Sequence, residues 1–171
     1  METHQRRLRA LRQNLPSGIR ARPCTLQDAA QIATLVNDGR GAIGDPFLDS
    51  EGDVRESLSD PFVELEVDGV TAETDDGSLA GYALAYRVVD GAKPRVFLFG
   101  ATSPRHWGEG IGRALLAWSS DRAREILEPH PLGTIRHSAA TKTCAPGGCT
   151  KRRTGAQSGG SRTWSSASPP E

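Results

Sequence analysis

Cysteine is scarce in this sequence. Its three residues, Cys24, Cys144 and Cys149, are too few for a disulfide-dense scaffold. Long apolar runs are missing too, since none approaches the roughly 18 residues of a membrane span. The stretch from Met1 to Pro16 is basic but holds no apolar segment, which excludes a secretory signal there. A cytoplasmic protein without membrane contact is the expectation. There is also no net charge, because Lys plus Arg and Asp plus Glu each number 21. That balance argues against a chain that binds nucleic acid over its whole surface. Apolar residues are 36% of the 171, below the roughly 45–50% of an ordinary domain. Part of the chain is therefore expected to lie outside any core.

The neutrality is a cancellation. Residues 129–171 hold six basic residues (Arg136, Lys142, Lys151, Arg152, Arg153 and Arg162) and one acid, Glu171, a charge of +5. The first 128 residues hold 15 basic and 20 acidic residues, a charge of −5. Gly, Ser, Thr and Pro supply 23 of the last 43 residues, and the large apolar ones are Leu132, Ile135 and Trp164. Such a segment cannot offset its chain entropy by burial, so 129–171 reads as a disordered basic tail. A positive tail is also the composition of a nucleic-acid arm, which stays open as an alternative. Residues 1–17 form a second basic arm with Arg6, Arg7, Arg9 and Arg12. Leu8, Leu11 and Leu15 recur there at spacings of three and four, which predicts a short amphipathic helix over 3–14, loosely docked.

Residues 18–128 carry the pattern of one α/β domain. Ile19 to Arg22 alternates as a strand, and Thr25 with Asp28 approximates a capping box for a helix ending at Gly39. A Gly- and Asp-rich loop follows, with Asp45 and Asp49, and then a short helix over 53–58. Residues 62–74 read as a strand with Glu64, Glu66 and Asp68 on its solvated face. The segments 79–89 and 95–102 are strands, with turns at 75–78 and 90–91. A helix over 111–127 buries Ile111, Leu115, Trp118 and Ile126. Cys24, at a strand end, reads as a small buried residue. His130, His137, Cys144 and Cys149 fit no common zinc spacing, so no metal site is expected.

The informative segment is Ser103-Pro-Arg-His-Trp-Gly-Glu-Gly-Ile-Gly-Arg-Ala-Leu-Leu116. A buried strand runs into a glycine turn and a helix starts at once. Free amides and the positive dipole end of a helix make an anion site there. Gly108, Gly110 and Gly112 let backbone approach a phosphate. A Walker loop is excluded because Arg113-Ala114 follows Gly112, and the dinucleotide fingerprint fails because Arg113 and Leu115 stand at its last glycine.

This loop, in this order of elements, resembles the GNAT superfamily of acyl-CoA-dependent N-acetyltransferases. Its signature is Arg/Gln-x-x-Gly-x-Gly/Ala, and Pro104, Trp107, Gly110 and Gly112 stand at the matching places. The style is similar to the first domain of bacterial proteins that carry two such domains in tandem. The resemblance implies an incomplete GNAT-like fold, a mixed and mostly antiparallel sheet flanked by helices, truncated after the family's third helix. It implies no counterpart of the family's fifth strand, and an uncovered edge along 96–99. It implies acetyl-CoA as co-substrate and a small-molecule or peptide amine as acceptor, attacked directly. Gly100, Ala101 and Thr102 would face the pantetheine arm. Trp107, Gly108, Glu109, Gly110, Ile111, Gly112 and Arg113 would hold the pyrophosphate. Trp107 departs from the family's Arg or Gln, and Glu109 stands where a basic residue is usual. No general base carries over. The competing reading is a truncated, inactive relative that binds CoA weakly or not at all.

Overall fold

The sheet is built around two strands whose faces differ in residue size. The computed structural model describes residues 2–88, 94–130 and 132–137. Its elements, in order, are α1 (Glu2–Asn14), β1 (Ile19–Pro23), α2 (Ala29–Ile43), α3 (Glu51–Leu58), α4 (Leu65–Asp68), β2 (Gly69–Thr74), β3 (Leu79–Val88), β4 (Arg95–Thr102), α5 (Ile111–Leu127) and β5 (Thr134–His137). The five strands lie in sequence order, β1 to β4 antiparallel and β5 parallel to β4. Alternation along β3 sends Leu84 and Tyr86 to one face and Ala83 and Ala85 to the other. Leu84 and Tyr86 pack with α2 and α3 around Ile32, Leu35, Val54 and Leu58. The opposite face, with Ala72, Ala80 and Ala83, packs with α1 and α5 around Leu8, Leu11, Ile111, Leu115 and Trp118. The fold is thus α/β, a mixed sheet with helices on both faces.

Small residues on that second face let α5 come close. A Cβ on Gly81 would lie 2.7 Å from Leu115 Cδ1 and 3.1 Å from the Ala101 carbonyl oxygen. Position 81 must therefore carry no side chain if the helix is to keep its seat.

The structure departs from the sequence expectations in several places. Helix α2 runs through Gly39 and Gly41 to Ile43, and Gly44 caps it, its amide on the carbonyls of Arg40 and Gly41. Helix α3 starts earlier than 53, because Ser50 caps it: the Asp53 amide donates to Ser50 Oγ, and the Ser50 amide donates to Asp53. Residues 62–74 are not one strand. Leu65–Asp68 is a helical turn and only Gly69–Thr74 is strand. Asp68 is buried, accepts from the Glu64 amide at 2.7 Å and from Arg122 Nε at 2.7 Å, and so pulls the segment into a turn. The fifth strand exists: Thr134–His137 pairs with Arg95–Leu98, and Ile135 packs beside Ile126 and Leu127. The edge at 96–98 is therefore covered. Helix α1 is seated in the core through Leu8 and Leu11, each 3% exposed. The rest of the expected tail, residues 138–171, including Cys144 and Cys149, lies outside the described residues.

Helix α1 is also clamped electrostatically. The Arg7 guanidinium is buried, pairs with Glu125, donates to the Val67 carbonyl at 3.2 Å and lies 5.2 Å over the Trp118 ring. Arg122 bridges Asp68 and Glu125. The two arginines are not equivalent. Removing Arg122 strands the buried Asp68 charge, whereas Glu125 keeps Arg122 when Arg7 is lost. Arg122→Met is expected to cost about 3 kcal/mol in urea unfolding, and Arg7→Met less than about 1 kcal/mol.

A second pair gives the fold a pH dependence. Arg22 donates to Asp28 at 2.7 and 2.8 Å, and the Thr25 amide donates to the same carboxylate at 2.8 Å. Burial opposes ionisation of Asp28, but these donors outweigh it and hold its carboxyl below the usual range. A carboxyl depressed in the folded state stabilises the fold above its unfolded value of about 3.9 and gives that up as pH falls through the folded one. In acid titrations of unfolding, the gap between the wild type and Asp28→Asn should be full at neutral pH and shrink below about pH 4.

Candidate acyl-donor site

The pairing of β4 changes partway along. On one side it pairs with β3 from Val88↔Arg95 to Gly81↔Thr102. On the other, pairing with β5 stops at Leu98↔His137. Phe99 to Thr102 thus face no described strand on that side. Alternation decides which groups point there. The Ser103 amide donates to the Ala80 carbonyl, so odd positions of β4 bond toward β3. The backbone groups of Gly100 and Thr102 point to the open edge, and those of Ala101 point into the sheet. Gly100 is exposed, and a Cβ there would lie 2.8 Å from the Tyr82 carbonyl oxygen.

The open edge leads into the glycine turn. A one-turn 3-10 segment, Pro104–His106, follows β4, with the Ser103 side chain accepting from the Arg105 amide. Gly108 and Gly110 then take φ of +89° and +88°, a region L side chains rarely enter. Gly110 is the N-cap of α5, and its carbonyl accepts the first helical bond from the Ala114 amide at 3.0 Å. The amides of Ile111, Gly112 and Arg113 precede that bond and have no helical acceptor. A Cβ on Gly112 would lie 3.0 Å from Thr102 Oγ1, so the helix start sits against the end of the open edge. Donor amides, dipole and space coincide, which is what an anionic diphosphate requires.

The two departures from the family pattern have visible roles. Trp107 is 43% exposed and donates its indole N–H to the outward Thr102 carbonyl at 2.9 Å. Glu109 lies 3.0 Å from His106 Nδ1 and so has a local partner. Arg105 and Arg113 are both exposed beside the turn. On the other face of β4, Phe97 and Phe99 stack at 6.3 Å, and Phe99 meets Tyr86 edge-on at 6.0 Å. Tyr86 donates its hydroxyl to Asp60 at 2.5 Å, and burial together with that bond pushes its hydroxyl up to about 12. The sequence reading missed this pair, since its partners stand 26 positions apart. Cys24 is buried and its thiol is pushed up to about 12 by burial, which suits packing and not nucleophilic work. Asp49 is tied to Arg40 at 3.0 Å and to Asn37, while Asp45 accepts from the Phe47 amide. Glu64, Glu66 and Asp68 share no strand face, because they lie at and within the turn of α4. Among the described residues no cluster of three or more His, Cys, Asp or Glu could hold a metal, and no helix is long and apolar enough to cross a membrane.

A substitution tests whether the turn needs its left-handed glycine. Gly110→Ala meets no neighbour within 4 Å, so any cost is conformational. The expected loss is about 1 kcal/mol in thermal or urea unfolding.

Comparison with known proteins agrees with this geometry. No curated protein matches the chain significantly. A GCN5-related N-acetyltransferase from Sphaerobacter thermophilus superposes with a TM-score of 0.59 and 26% identity, over 72% of this chain and 38% of that one. The chain thus spans well under half of that protein's length. An aminoglycoside acetyltransferase from an uncultured soil metagenomic sample, solved with sisomicin, superposes with a TM-score of 0.51 over 72% of this chain and 78% of that one. At 12% identity that likeness is one of fold. The acetyltransferase (GNAT) family model matches residues 42–129, just over half the chain, and takes in β4, the glycine turn and α5. With the open edge running into the turn, these matches make the chain a member of the GNAT acetyltransferase family.

Proposed function

We propose that this chain binds acetyl-CoA along β4 and transfers the acetyl group to a primary amine by direct attack. The observation that carries the reading is the edge of β4, which from Phe99 to Thr102 pairs with no described strand on that side and runs on to the unbonded amides of α5. Gly108 to Arg113, together with the Trp107 segment, hold the pyrophosphate, and Ile111, Gly112 and Arg113 donate their amides to it. The outward groups of Gly100 and Thr102 bond the pantetheine arm, with Ala101 holding the strand in register between them. Acetyl-CoA supplies an activated thioester carbonyl. An edge amide placed at that oxygen lowers the barrier by stabilising the charge that develops there. The fit is favoured by space as well as charge, since a side chain at position 112 would crowd the end of this line at Thr102.

We further infer that residues 18–128, together with α1 and β5 that pack on them, are the acyl-CoA-binding domain of a cytoplasmic enzyme. The tandem type suits the length comparison, because the Sphaerobacter chain is more than twice what this chain covers. In that arrangement this chain corresponds to one half.

The test is calorimetry of acetyl-CoA with the full chain. Saturable binding is expected, weakened at least tenfold in Gly110→Asp, which adds a carboxylate and a strained φ. Trp107 fluorescence should change on saturation, because its indole sits on the edge carbonyl that the donor would use. A folded wild-type chain that binds no acetyl-CoA overturns the reading and leaves the family membership as ancestry.

A further inference from the structure

The C-terminal half of α5 borders a hollow that stands apart from the glycine turn. It encloses about 420 Å³ between the segment before β2, the end of β3 and one side of α5. Arg122, which lines it, stands ten residues along α5 from Gly112, roughly 15 Å at the rise of an α-helix. Arg87 enters from β3, on the face that carries Ala83 and Ala85 and meets α5. The open edge of β4 faces away from β3, so a donor lying along it does not run through the hollow.

Most of the charge around this hollow is already paired. Asp68 accepts from Arg122 Nε through one oxygen and from the Glu64 amide through the other. Arg122 is shared between Asp68 and Glu125. Two charges remain, one of each sign. The Arg87 guanidinium is half-buried and meets no carboxylate among the described residues. The Glu64 carboxylate is exposed and meets no cation among them. Both line the hollow, yet they do not pair with each other. An arginine keeps its charge throughout the working pH range, so burial cannot neutralise it. A half-buried cation without a counter-ion loses hydration and recovers nothing in exchange. The rest of the wall is apolar, with Pro61 and Phe62 from the loop after α3 and Ile126 from α5. Phe62 is left 51% exposed by the rest of the chain.

We infer that this hollow binds a free α-amino acid with an apolar side chain. The carboxylate of the ligand takes the Arg87 fork, whose planar donors match two carboxylate oxygens. The ammonium takes Glu64, and the side chain lies against Phe62 and Ile126, removing apolar surface from water. Ligand cavities run from about 300 to 1,000 Å³, and this one lies toward the small end, which suits an amino acid and not a nucleotide. A simple acid would leave Glu64 unmatched, and a simple amine would leave Arg87 unmatched. A zwitterion satisfies both.

The experiment titrates the full chain, without any acyl donor, with L-leucine and follows amide shifts by NMR. Saturable binding is expected, with the largest shifts at Phe62, Glu64, Arg87 and Ile126. 4-Methylpentanoate keeps the carboxylate and the branched side chain without the ammonium, and 3-methylbutylamine keeps the ammonium without the carboxylate. Each should bind roughly tenfold more weakly, which is the loss of one charge-assisted pair. Arg87→Gln should weaken leucine and the acid about tenfold without weakening the amine. Glu64→Gln should weaken leucine and the amine about tenfold without weakening the acid. No saturable leucine binding by the wild type overturns the inference. So does equal binding of leucine and either analogue, or a set of shifts centred on the glycine turn, and neither observation needs a variant to fold. With no acyl donor in the titration, failure of the donor reading would leave this result untouched.

Discussion

Helix α5 lies close enough to the sheet to make a site because β3 has no side chain at position 81. Leu115 Cδ1 occupies the volume a Cβ would need, and Ile111 fills the next turn. Ala83 and Ala85 continue the same small-residue face along the strand. Close-packed interiors do not yield to an added methyl group without moving something. Here the movable body is the helix, and its N-terminus would leave the end of β4. Gly112 then would no longer abut Thr102, and the amides of Ile111 to Arg113 would lose their alignment with the open edge. The partial charge of the helix end falls off within a turn, so a small displacement removes much of its attraction for an anion.

What the sequence made legible follows from locality. The glycine turn, α5, β3 and β4 each declare themselves through neighbouring residues: apolar periodicity, turn residues, and glycines where backbone must be bare. The elements that were missed are set by partners distant in the chain. Leu65–Asp68 alternates charge like a strand, yet it turns because Asp68 is held by Arg122, 54 positions away. Thr134–His137 lies in a composition that promises no structure, and it is a strand because β4 offers an edge and α5 offers Ile126 and Leu127 to pack on. Gly39 looked like the helix end, but the helix runs on to Ile43, and it is Gly44 that takes the left-handed cap. The Tyr86–Asp60 pair had no local signal at all.

The basic N-terminus shows how charge counts mislead about position. Arg6, Arg9 and Arg12 are exposed, as a solvated arm would have them. Arg7, one residue along, is buried because helical spacing places it with Leu8 and Leu11 on the face that meets α5. Its Nε finds no hydrogen-bond partner, and neither does the Trp118 indole nitrogen beneath it. Two buried donors left unbonded are costly, at about 1–3 kcal/mol each. The contact of guanidinium with ring face and the pairing with Glu125 offset part of that cost. The clamp thus gives α1 a defined seat more than it gives net stability.

The unusual residues of the turn follow the same accounting. The Trp107 indole holds the Thr102 carbonyl that a donor would bond, so binding must first break one hydrogen bond, worth about 1 kcal/mol net. Charge-assisted bonds from several amides to a diphosphate are each about twice as strong, so the exchange favours the ligand. Glu109 places a negative charge near the same anion, but His106 draws its carboxylate aside, and Arg105 and Arg113 stand in solvent nearby. Screening by water weakens repulsion at an exposed carboxylate far more than it weakens amide bonds aimed at the ligand. On the proposed donor reading, Trp107 and Glu109 would tune affinity, while the backbone that the glycines expose would decide whether the site exists.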